Sequence, residues 1–245
     1  MRWRRSRKVP HVVLIHAGGL DGRMWRPLAE RLDDRFRLDI PDLRGHGSTP
    51  LPPEPYTHAE DLVRMLDQLK VERAVVIGCS FGGWVALQLA TLAPERVRAL
   101  ALMPGTLSDT EDWSPEIEAF WAQEDALVEA GDIDGAVALN VRTWVREPQV
   151  ADVVAEMARA ALEHQAGAQA QERELPVDLP AIAVPTLAVS GGRDFSDFAR
   201  MADRVAAEVP GGERAEVPDA GHLIALERPD AAAEILGPWL ERVSA

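Results

Sequence analysis

The 245-residue chain has only one cysteine, Cys79, so it cannot form a disulfide within itself. Because nothing in this cysteine usage indicates an oxidising compartment, we expect the protein to be cytoplasmic. The six histidines are scattered without paired ligand spacing, and no H-E-x-x-H motif occurs, so the sequence predicts no metal site. Gly18 and Gly19 are not part of a G-x-G-x-x-G dinucleotide pattern. No cofactor is therefore expected.

Long apolar runs and an excess of positive charge are also missing. No segment reaches the ~20 apolar residues that a membrane-spanning helix needs, so no membrane partner is expected. The formal net charge is -14 with a pI near 4.9, whereas binding to nucleic acid depends on clustered Lys and Arg, so no nucleic-acid partner is expected either. Basic residues from Arg2 to Lys8 precede the apolar run Val12 to Ile15, but that run is too short for a signal peptide and His16 interrupts it. The composition leaves the oligomeric state open.

The residues that are present favour one substantial core. Apolar types make up 47% of the sequence, and parallel-sheet domains often have this length. Short β-branched runs alternate with helix-like segments, which is typical of an α/β fold with a parallel sheet and helices on both faces. Strands are predicted near 11–16, 36–40, 73–79, 97–103, 185–190 and 213–217, and helices near 24–33, 57–69, 81–93, 196–208 and 228–242.

The alternation stops between Pro104 and Pro185. This stretch is rich in Ala and Glu, and the spacing of its apolar residues predicts helices. These lie near 115–130, 133–147 and 150–172. We therefore expect an α/β core domain formed by residues 1–104 and 181–245, with residues 105–180 inserted as a helical cap.

The most informative segment is Gly78-Cys79-Ser80-Phe81-Gly82, which has the pattern G-x-S-x-G. It follows an apolar β-type run at 74–77 and precedes a helix-like segment. A strand that turns directly into a helix forces the central residue into a strained conformation and exposes its side chain above the sheet. A Cβ at either flanking glycine would collide with a neighbouring strand or helix in so tight a turn. Ser80 is therefore a candidate nucleophile, whereas the Cys79 side chain should point into the packing below.

A serine hydroxyl needs a base to remove its proton, and two partners follow Ser80 in a workable order. Asp194 lies in the loop after one predicted strand, and His222 lies in the loop after the next. All three would lie at the carboxyl ends of parallel strands, where α/β folds collect functional groups. Asp197 is an alternative to Asp194, although it could instead cap the following helix, and Asp219 is interpreted as a turn former.

Three further motifs accompany the G-x-S-x-G segment. They are His16-Ala17-Gly18-Gly19, Asp42-Leu43-Arg44-Gly45-His46-Gly47 and Ala220-Gly221-His222. With these motifs in this order, the chain resembles the α/β-hydrolase superfamily over nearly its whole length. Within the superfamily it looks most like the small capped esterases and lactonases, including the 3-oxoadipate enol-lactonase type. The resemblance implies an α/β-hydrolase fold with a mostly parallel sheet and an inserted helical cap.

The resemblance also implies roles for the motif residues. Ser80 would attack a carbonyl carbon, His222 would take its proton and return it to the leaving group, and Asp194 would orient the imidazole. The oxyanion would be held by the backbone NH groups of Phe81 and Gly18. The remaining histidines are interpreted as structural. His16 and His46 would hold loops in shape, and His11, His58 and His164 would be surface or element-end residues.

One departure from the family pattern concerns the N-terminus. Relatives usually carry a β-ribbon before the first strand predicted here, whereas few residues precede Val12. The ribbon is therefore expected to be largely missing, unless residues 1–7 supply part of an edge strand or the true start lies further upstream. Without it, the strand near 36–40 would expose unpaired backbone groups.

Selectivity is expected to come from the inserted segment. Trp113, Phe120, Trp121 and Trp144 are a large aromatic load for one insertion, and aromatic-lined pockets suit apolar ligands. The candidate pocket residues are Trp113, Trp121 and Trp144, although any one of them could equally fasten the cap to the core. Trp84, which follows Ser80 by one helical turn, is expected to pack in the core.

These features favour a cofactor-independent serine hydrolase that cleaves a small or medium carboxylic ester or lactone through an acyl-enzyme. Its partner would be a small-molecule substrate. Two alternatives stay open on the same fold: hydrolysis of a carbon-carbon bond in a ring-cleavage product, and a ligand receptor whose triad turns over slowly. Haloalkane dehalogenation is disfavoured because that branch uses Asp at the nucleophile position, where this chain has Ser80.

Overall fold

The fold is built around one parallel β-sheet. The computed structural model describes residues 9–32, 35–107, 113–166, 171–173 and 175–245. The strands are β1 (His11–Ile15), β2 (Arg37–Asp39), β3 (Ala74–Ser80), β4 (Val97–Gly105), β5 (Thr186–Gly191) and β6 (Glu213–Val217). Their order in the sheet is β2-β1-β3-β4-β5-β6, and every pairing is parallel. The parallel sheet predicted from the sequence is confirmed, with each strand within two residues of its expected position.

Nine α-helices lie in the described ranges. They are α1 (Arg26–Leu32), α2 (His58–Gln68), α3 (Phe81–Leu92), α4 (Pro115–Glu129), α5 (Ile133–Trp144), α6 (Ala151–Gln165), α7 (Ser196–Glu208), α8 (Ile224–Glu227) and α9 (Pro229–Ser244). Side chains mark where several begin: Thr57 and Ser114 accept hydrogen bonds from backbone NH groups in the first turns of α2 and α4. The sequence did not predict α8, because a four-residue helix is too short to show apolar periodicity.

The core has two layers, one on each face of the sheet. Successive strand residues point to opposite faces. Val13 belongs to the layer that also contains residues of α2, α3 and α7, while Val12 belongs to the layer that contains residues of α1 and α9. Both residues are fully buried. Full burial of such a side chain contributes about 1.5–3 kcal/mol, and these layers fix the strand ends that carry the loops described below.

Helices α4, α5 and α6, here called the inserted helices, connect β4 to β5. Helix α5 ends at Trp144 and not near 147, because the backbone NH groups of Arg146 and Glu147 donate to the Glu227 carboxylate instead, at 2.5 and 3.1 Å. Helix α6 ends at Gln165, so the helix predicted near 150–172 was too long. The backbone at residues 171–173 pairs with that of Tyr56, which removes it from any helix.

The predicted N-terminal edge strand at residues 1–7 lies outside the described residues. Within the described part of the sheet, β2 is at one edge and pairs with β1 alone. Among the helices in that part of the chain, none combines the length and the apolar content that crossing a membrane requires.

Candidate active site

Ser80 lies at the junction between β3 and α3. The strand ends at Ser80 and the helix begins at Phe81, with no connecting residue. Ser80 has φ 50° and ψ -120°, a conformation that side-chain-bearing residues rarely adopt and that costs on the order of 1–3 kcal/mol. The strained turn predicted from the sequence is confirmed, and the surrounding packing must hold it in place.

Two flanking glycines allow this turn to form. A Cβ on Gly78 would lie 2.1 Å from the carbonyl oxygen of Gly82. A Cβ on Gly82 would lie 2.4 Å from the carbonyl oxygens of Ile15 and His16. The predicted steric reason for glycine at both positions is therefore confirmed, and at Gly82 the obstacle is the end of β1 and the loop after it.

His222 and Asp194 form a hydrogen-bonded pair in the loops after β6 and β5. The distance between His222 Nδ1 and Asp194 Oδ2 is 2.7 Å. The side chains are 5% and 1% exposed, so the pair is almost completely removed from solvent. Asp194 Oδ1 accepts a further hydrogen bond from the backbone NH of Phe195 at 2.8 Å. With Nδ1 donating to the carboxylate, the neutral imidazole presents Nε2 as a proton acceptor.

The other two aspartates considered from the sequence lie elsewhere. Asp197 is buried, and its Oδ1 accepts from the backbone NH of Ser114 at 2.8 Å and from Arg200 at 2.7 Å. The alternative in which Asp197 caps its own helix is wrong, because α7 begins at Ser196, the capping position before it is Phe195, and no side chain caps that end. Asp219 is exposed in the turn after β6. Of these three aspartates, Asp194 is the one whose carboxylate bonds to the His222 ring.

Aromatic rings enclose the imidazole. The centroids of the Trp144 and Phe198 rings lie 4.6 and 4.2 Å from that of His222. Trp144 also packs edge-on against Phe120 of α4, at 5.0 Å. These contacts exclude water from the sides of the ring and restrict its rotation, which strengthens the hydrogen bond to Asp194.

Ser80 and His222 line one cavity of about 360 Å³. Ser80 Oγ lies 3.4 Å from Thr106 Oγ1, and within the described residues no hydrogen bond joins it to His222. In ligand-free active sites such contacts are often long and tighten when substrate binds. The same cavity is lined by Gly18 and Phe81, the two residues predicted to hold an oxyanion.

Two of the three predicted pocket tryptophans line this cavity and one does not. Trp121 and Trp144 are among its lining residues. Trp113 is not, because its ring packs edge-on against Trp121 at 4.8 Å and against Phe198 at 6.2 Å. Trp113 therefore supports Trp121 from the side away from the cavity. This position fits the alternative expectation, in which a tryptophan of the inserted segment attaches that segment to the core.

Two buried histidines hold the loop after β1. His16 Nδ1 donates to the carbonyl oxygen of Ala17 at 2.8 Å, and its Nε2 accepts from the backbone NH of Leu43 at 2.9 Å. Burial, together with the neighbouring His46, lowers the pKa of His16 to about 4, so the ring is neutral at physiological pH. A neutral ring is required here, because a protonated Nε2 could not accept from Leu43.

His46 binds the same loop from the other side. Its Nδ1 lies 2.9 Å from the carbonyl oxygen of Arg44, and its Nε2 accepts from the backbone NH of Gly19 at 3.3 Å. Burial also lowers the pKa of His46. The loop that carries Gly18 is thereby fixed next to Phe81, with the Cβ position of Gly18 3.5 Å from Phe81 Cβ.

His58 was expected to be a surface or element-end residue, and it is an element-end residue that is buried. His58 is the first residue of α2, as expected for an element end, but it is 2% exposed. Burial lowers its pKa to about 3, and its ring packs edge-on against Phe81 at 5.4 Å. Sequence position alone could not distinguish a buried helix start from an exposed one.

The remaining alternatives near the turn have structural roles. Cys79 is 1% exposed, and burial raises the pKa of its thiol, which makes it a poor nucleophile. Trp84 is 4% exposed and packs in the core layer that contains α2, α3 and α7. Both positions agree with the expectations from the sequence.

Four polar residues in the cavity wall were not identified from the sequence. They are Thr106, which follows β4, and Glu124, Asn140 and Gln165 on the inserted helices. No motif marks them, and whether their side chains reach the cavity depends on how the inserted helices pack against the core. Among the residues that the structure describes, no group of three or more His, Cys, Asp or Glu side chains could hold a metal ion.

Known proteins are similar to this chain in sequence and in fold. A pimeloyl-(acyl-carrier protein) methyl ester esterase of Edwardsiella ictaluri is 29% identical over 240 residues, which cover 89% of this chain and 88% of that protein. The 3-oxoadipate enol-lactonase 1 of Acinetobacter baylyi is 26% identical over 256 residues, which cover 96% and 90%. The crystal structure of the enol-lactonase from Burkholderia xenovorans LB400 is similar with a TM-score of 0.77 at 26% identity, covering 97% of this chain and 94% of that one.

The model of the alpha/beta hydrolase family matches residues 12–235, from the first strand of the sheet to within α9. That span includes the strained turn at Ser80 and the loops that carry Asp194 and His222. The resemblance noted in the sequence is confirmed: the chain belongs to the alpha/beta hydrolase family.

Proposed function

We propose that this protein is a cofactor-independent serine hydrolase that cleaves small or medium carboxylic esters or lactones through an acyl-enzyme. The observation that carries the proposal is that a strained serine, Ser80, and His222 line one cavity, with the His222 ring bonded to the buried Asp194 carboxylate behind it. Relatives that are named as a methyl ester esterase and an enol-lactonase support the choice of an ester bond.

In the first step, Ser80 Oγ attacks the carbonyl carbon of the substrate. His222 Nε2 accepts the hydroxyl proton, while Asp194 holds the Nδ1 proton and stabilises the imidazolium that forms. Rotation of the Ser80 side chain away from Thr106 Oγ1, its present neighbour at 3.4 Å, would bring Oγ towards the ring. Proton transfer of this kind contributes about 10²–10⁴ in rate.

The negative charge of the tetrahedral intermediate is assigned to two backbone donors. Phe81 is the first residue of α3, so its NH has no acceptor within the helix. Gly18 lies beside it in the loop that His16 and His46 hold. Loss of one such donor costs on the order of 10²–10³ in rate.

In the second step, water releases the acid. His222 has by then returned the first proton to the leaving oxygen, which departs as the acyl-enzyme forms. It next takes a proton from water as that water attacks the acyl-enzyme carbonyl, and gives this proton to Ser80 Oγ as the bond between Oγ and the acyl carbon breaks. For a lactone, the leaving oxygen stays in the same molecule, and the product is a hydroxy acid. We assign to the inserted helices, residues 105–180 in the sequence-based division, the role of a cap that closes the cavity over these steps.

The test compares Ser80→Ala with Ser196→Ala in the hydrolysis of p-nitrophenyl acetate and of a small lactone panel. Ser196 is an exposed serine at the start of α7, which makes it a matched control. We expect kcat/KM to fall by about 10⁴ or more for Ser80→Ala and to stay within about twofold for Ser196→Ala. Full activity of correctly folded Ser80→Ala would defeat the proposal.

A further inference from the structure

The inserted helices contribute three polar side chains to the wall of the active-site cavity. These are Glu124 on α4, Asn140 on α5 and Gln165 at the end of α6. The hydrogen bonds that each makes to the protein decide which atoms remain for a ligand. Such groups fix the orientation and the chemical class of a ligand in an otherwise apolar cavity.

Both amide hydrogens of Asn140 are engaged in hydrogen bonds to the protein. Its Nδ2 donates to Glu124 Oε1, and also to the backbone carbonyl of Ala136 at 3.1 Å. An amide nitrogen carries two hydrogens, so Asn140 can offer a ligand only its carbonyl oxygen, which is an acceptor.

Gln165 makes longer contacts with the protein. Its Nε2 donates to the backbone carbonyl of Gly45 at 3.3 Å and lies 3.3 Å from His46 Nε2, whose lone pair already accepts from the backbone NH of Gly19. Gln165 therefore does not restrict a ligand to one class, and the acceptors that do are the Glu124 carboxylate and the Asn140 carbonyl.

Glu124 adds an acidic group without a basic counterpart. Among the described residues, no Lys or Arg lines the cavity, and the base that does, His222, is bonded to Asp194. The undescribed positions between residues 9 and 245 contain no Lys or Arg in the sequence. Burial and the nearby Asp125 raise the pKa of Glu124, while the hydrogen bond from Asn140 lowers it. The chain as a whole has a formal net charge of -14, so its long-range field also opposes anions.

We propose that this cavity selects esters or lactones that carry a hydrogen-bond donor, a hydroxyl or amine, on the part that faces the inserted helices, and that Glu124 excludes substrates with a carboxylate there. The inference rests on the proposed function and narrows its substrate class. The donor would bind the Glu124 carboxylate and the Asn140 carbonyl together. A carboxylate there would instead be repelled by the partly buried Glu124, with no Lys or Arg among the described cavity residues to offset the two charges.

The test uses four methyl esters of equal chain length that differ only at the far end. For six carbons they are methyl hexanoate, methyl 6-hydroxyhexanoate, methyl 6-aminohexanoate and monomethyl adipate, and the set is repeated with shorter and longer chains. Methanol release is measured at about pH 8, where the substrate carboxylate, an ordinary exposed carboxyl group, is ionised. For the best chain length, we expect kcat/KM of the hydroxy ester to exceed that of the carboxylate ester by about 10- to 100-fold.

Glu124→Gln removes the charge but keeps an oxygen that can accept from Asn140. We expect it to raise the ratio of kcat/KM for the carboxylate ester to kcat/KM for methyl hexanoate about tenfold. Glu118→Gln, an exposed glutamate on the same helix, is the matched control and should leave all ratios unchanged. Equal hydrolysis of the hydroxy and carboxylate esters at every chain length, or equal effects of the two variants, would overturn the inference.

A binding measurement separates this inference from the proposed function. In Ser80→Ala, which cannot form an acyl-enzyme by the proposed route, the hydroxy ester should raise the melting temperature more than the carboxylate ester at equal concentration. If no ester is hydrolysed by the wild type but this difference persists, the proposed function fails, and only the preference of the cavity for a hydrogen-bond donor over a carboxylate is upheld. If esters are hydrolysed and the difference is absent, the inference fails alone.

Discussion

At the scale of single residues, neutral histidines support the geometry around Ser80. His16 must be unprotonated to accept from the backbone NH of Leu43, and burial lowers its pKa to about 4. Burial likewise lowers the pKa of His58, to about 3, so this ring is also neutral. Both values lie below the ordinary histidine value of 6.5, so the unfolded chain binds more protons than the folded one as the pH falls.

The pH dependence of stability follows from that difference. A depressed histidine pKa makes the folded state less stable as the pH falls from about 6.5 towards 4, and each such group contributes up to about 1.4 kcal/mol per pH unit. For His16→Gln, we expect the loss of unfolding free energy between about pH 7 and pH 5 to be smaller than in the wild type by about 2 kcal/mol, measured by urea denaturation.

His164→Gln is the control for this measurement, since His164 is exposed on α6. The control should lose as much stability as the wild type over the same range. A His16→Gln profile that runs parallel to the wild type would contradict the assignment of a neutral, buried His16.

At the scale of elements, two buried core carboxylates accept hydrogen bonds from backbone NH groups at the ends of the inserted helices. The NH of Ser114, before α4, donates to the buried carboxylate of Asp197 on α7. The NH groups of Arg146 and Glu147, after α5, donate to Glu227 of α8. Both sets of hydrogen bonds join the insertion to elements that flank β5 and β6, the strands whose loops carry Asp194 and His222.

Asp197→Ala tests the first attachment. It leaves the Ser114 NH without its acceptor, so we expect a loss of about 1–3 kcal/mol in unfolding free energy. Hydrogen exchange should become faster in the first turn of α4, and KM should rise because Trp121 on that helix lines the cavity. Asp203→Ala is the control on α7, where an exposed ion pair with Arg214 contributes no more than about 1 kcal/mol. Equal exchange rates at α4 in both variants would show that Asp197 does not anchor this helix.

The elements themselves were largely predictable, because each strand and most helices carry a clear local pattern. Helix α7 was expected at 196–208 and is found at Ser196–Glu208. The ends of α5 and α6 were not predictable, since they depend on distant partners: Glu227 for α5, and the pairing of residues 171–173 with Tyr56 after α6.

At the scale of the whole molecule, strand order brings the site together. The strands lie in the order β1-β3-β4-β5-β6, and the loops at their carboxyl ends follow the same order across the sheet. These loops or strand ends carry Gly18, Ser80, Thr106, Asp194 and His222. Residues separated by more than 200 positions in the chain thereby reach one place. Parallel strands end on the same side of a sheet, which is the physical reason for this convergence.

The residues of the candidate site differ in how far the sequence alone could identify them. Ser80, Asp194 and His222 were identifiable because each follows a recognisable strand and belongs to a motif. Thr106 and Glu124 were not, since neither belongs to a motif and both are brought to the cavity by packing between distant elements. Trp113 was predicted to line the pocket and does not, for the same reason: contacts with Trp121 and Phe198 fix the direction of its ring.

The central claim is that Ser80 is a nucleophile activated by His222. Reaction with a fluorophosphonate, followed by intact-mass measurement and peptide mapping, tests it most directly, because the reagent forms a stable bond only with an activated hydroxyl. We expect one adduct per chain, located on Ser80, with labelling at least about 100-fold slower in His222→Ala. An unlabelled Ser80 in a folded protein that still hydrolyses esters, or labelling unaffected by His222→Ala, would contradict the account.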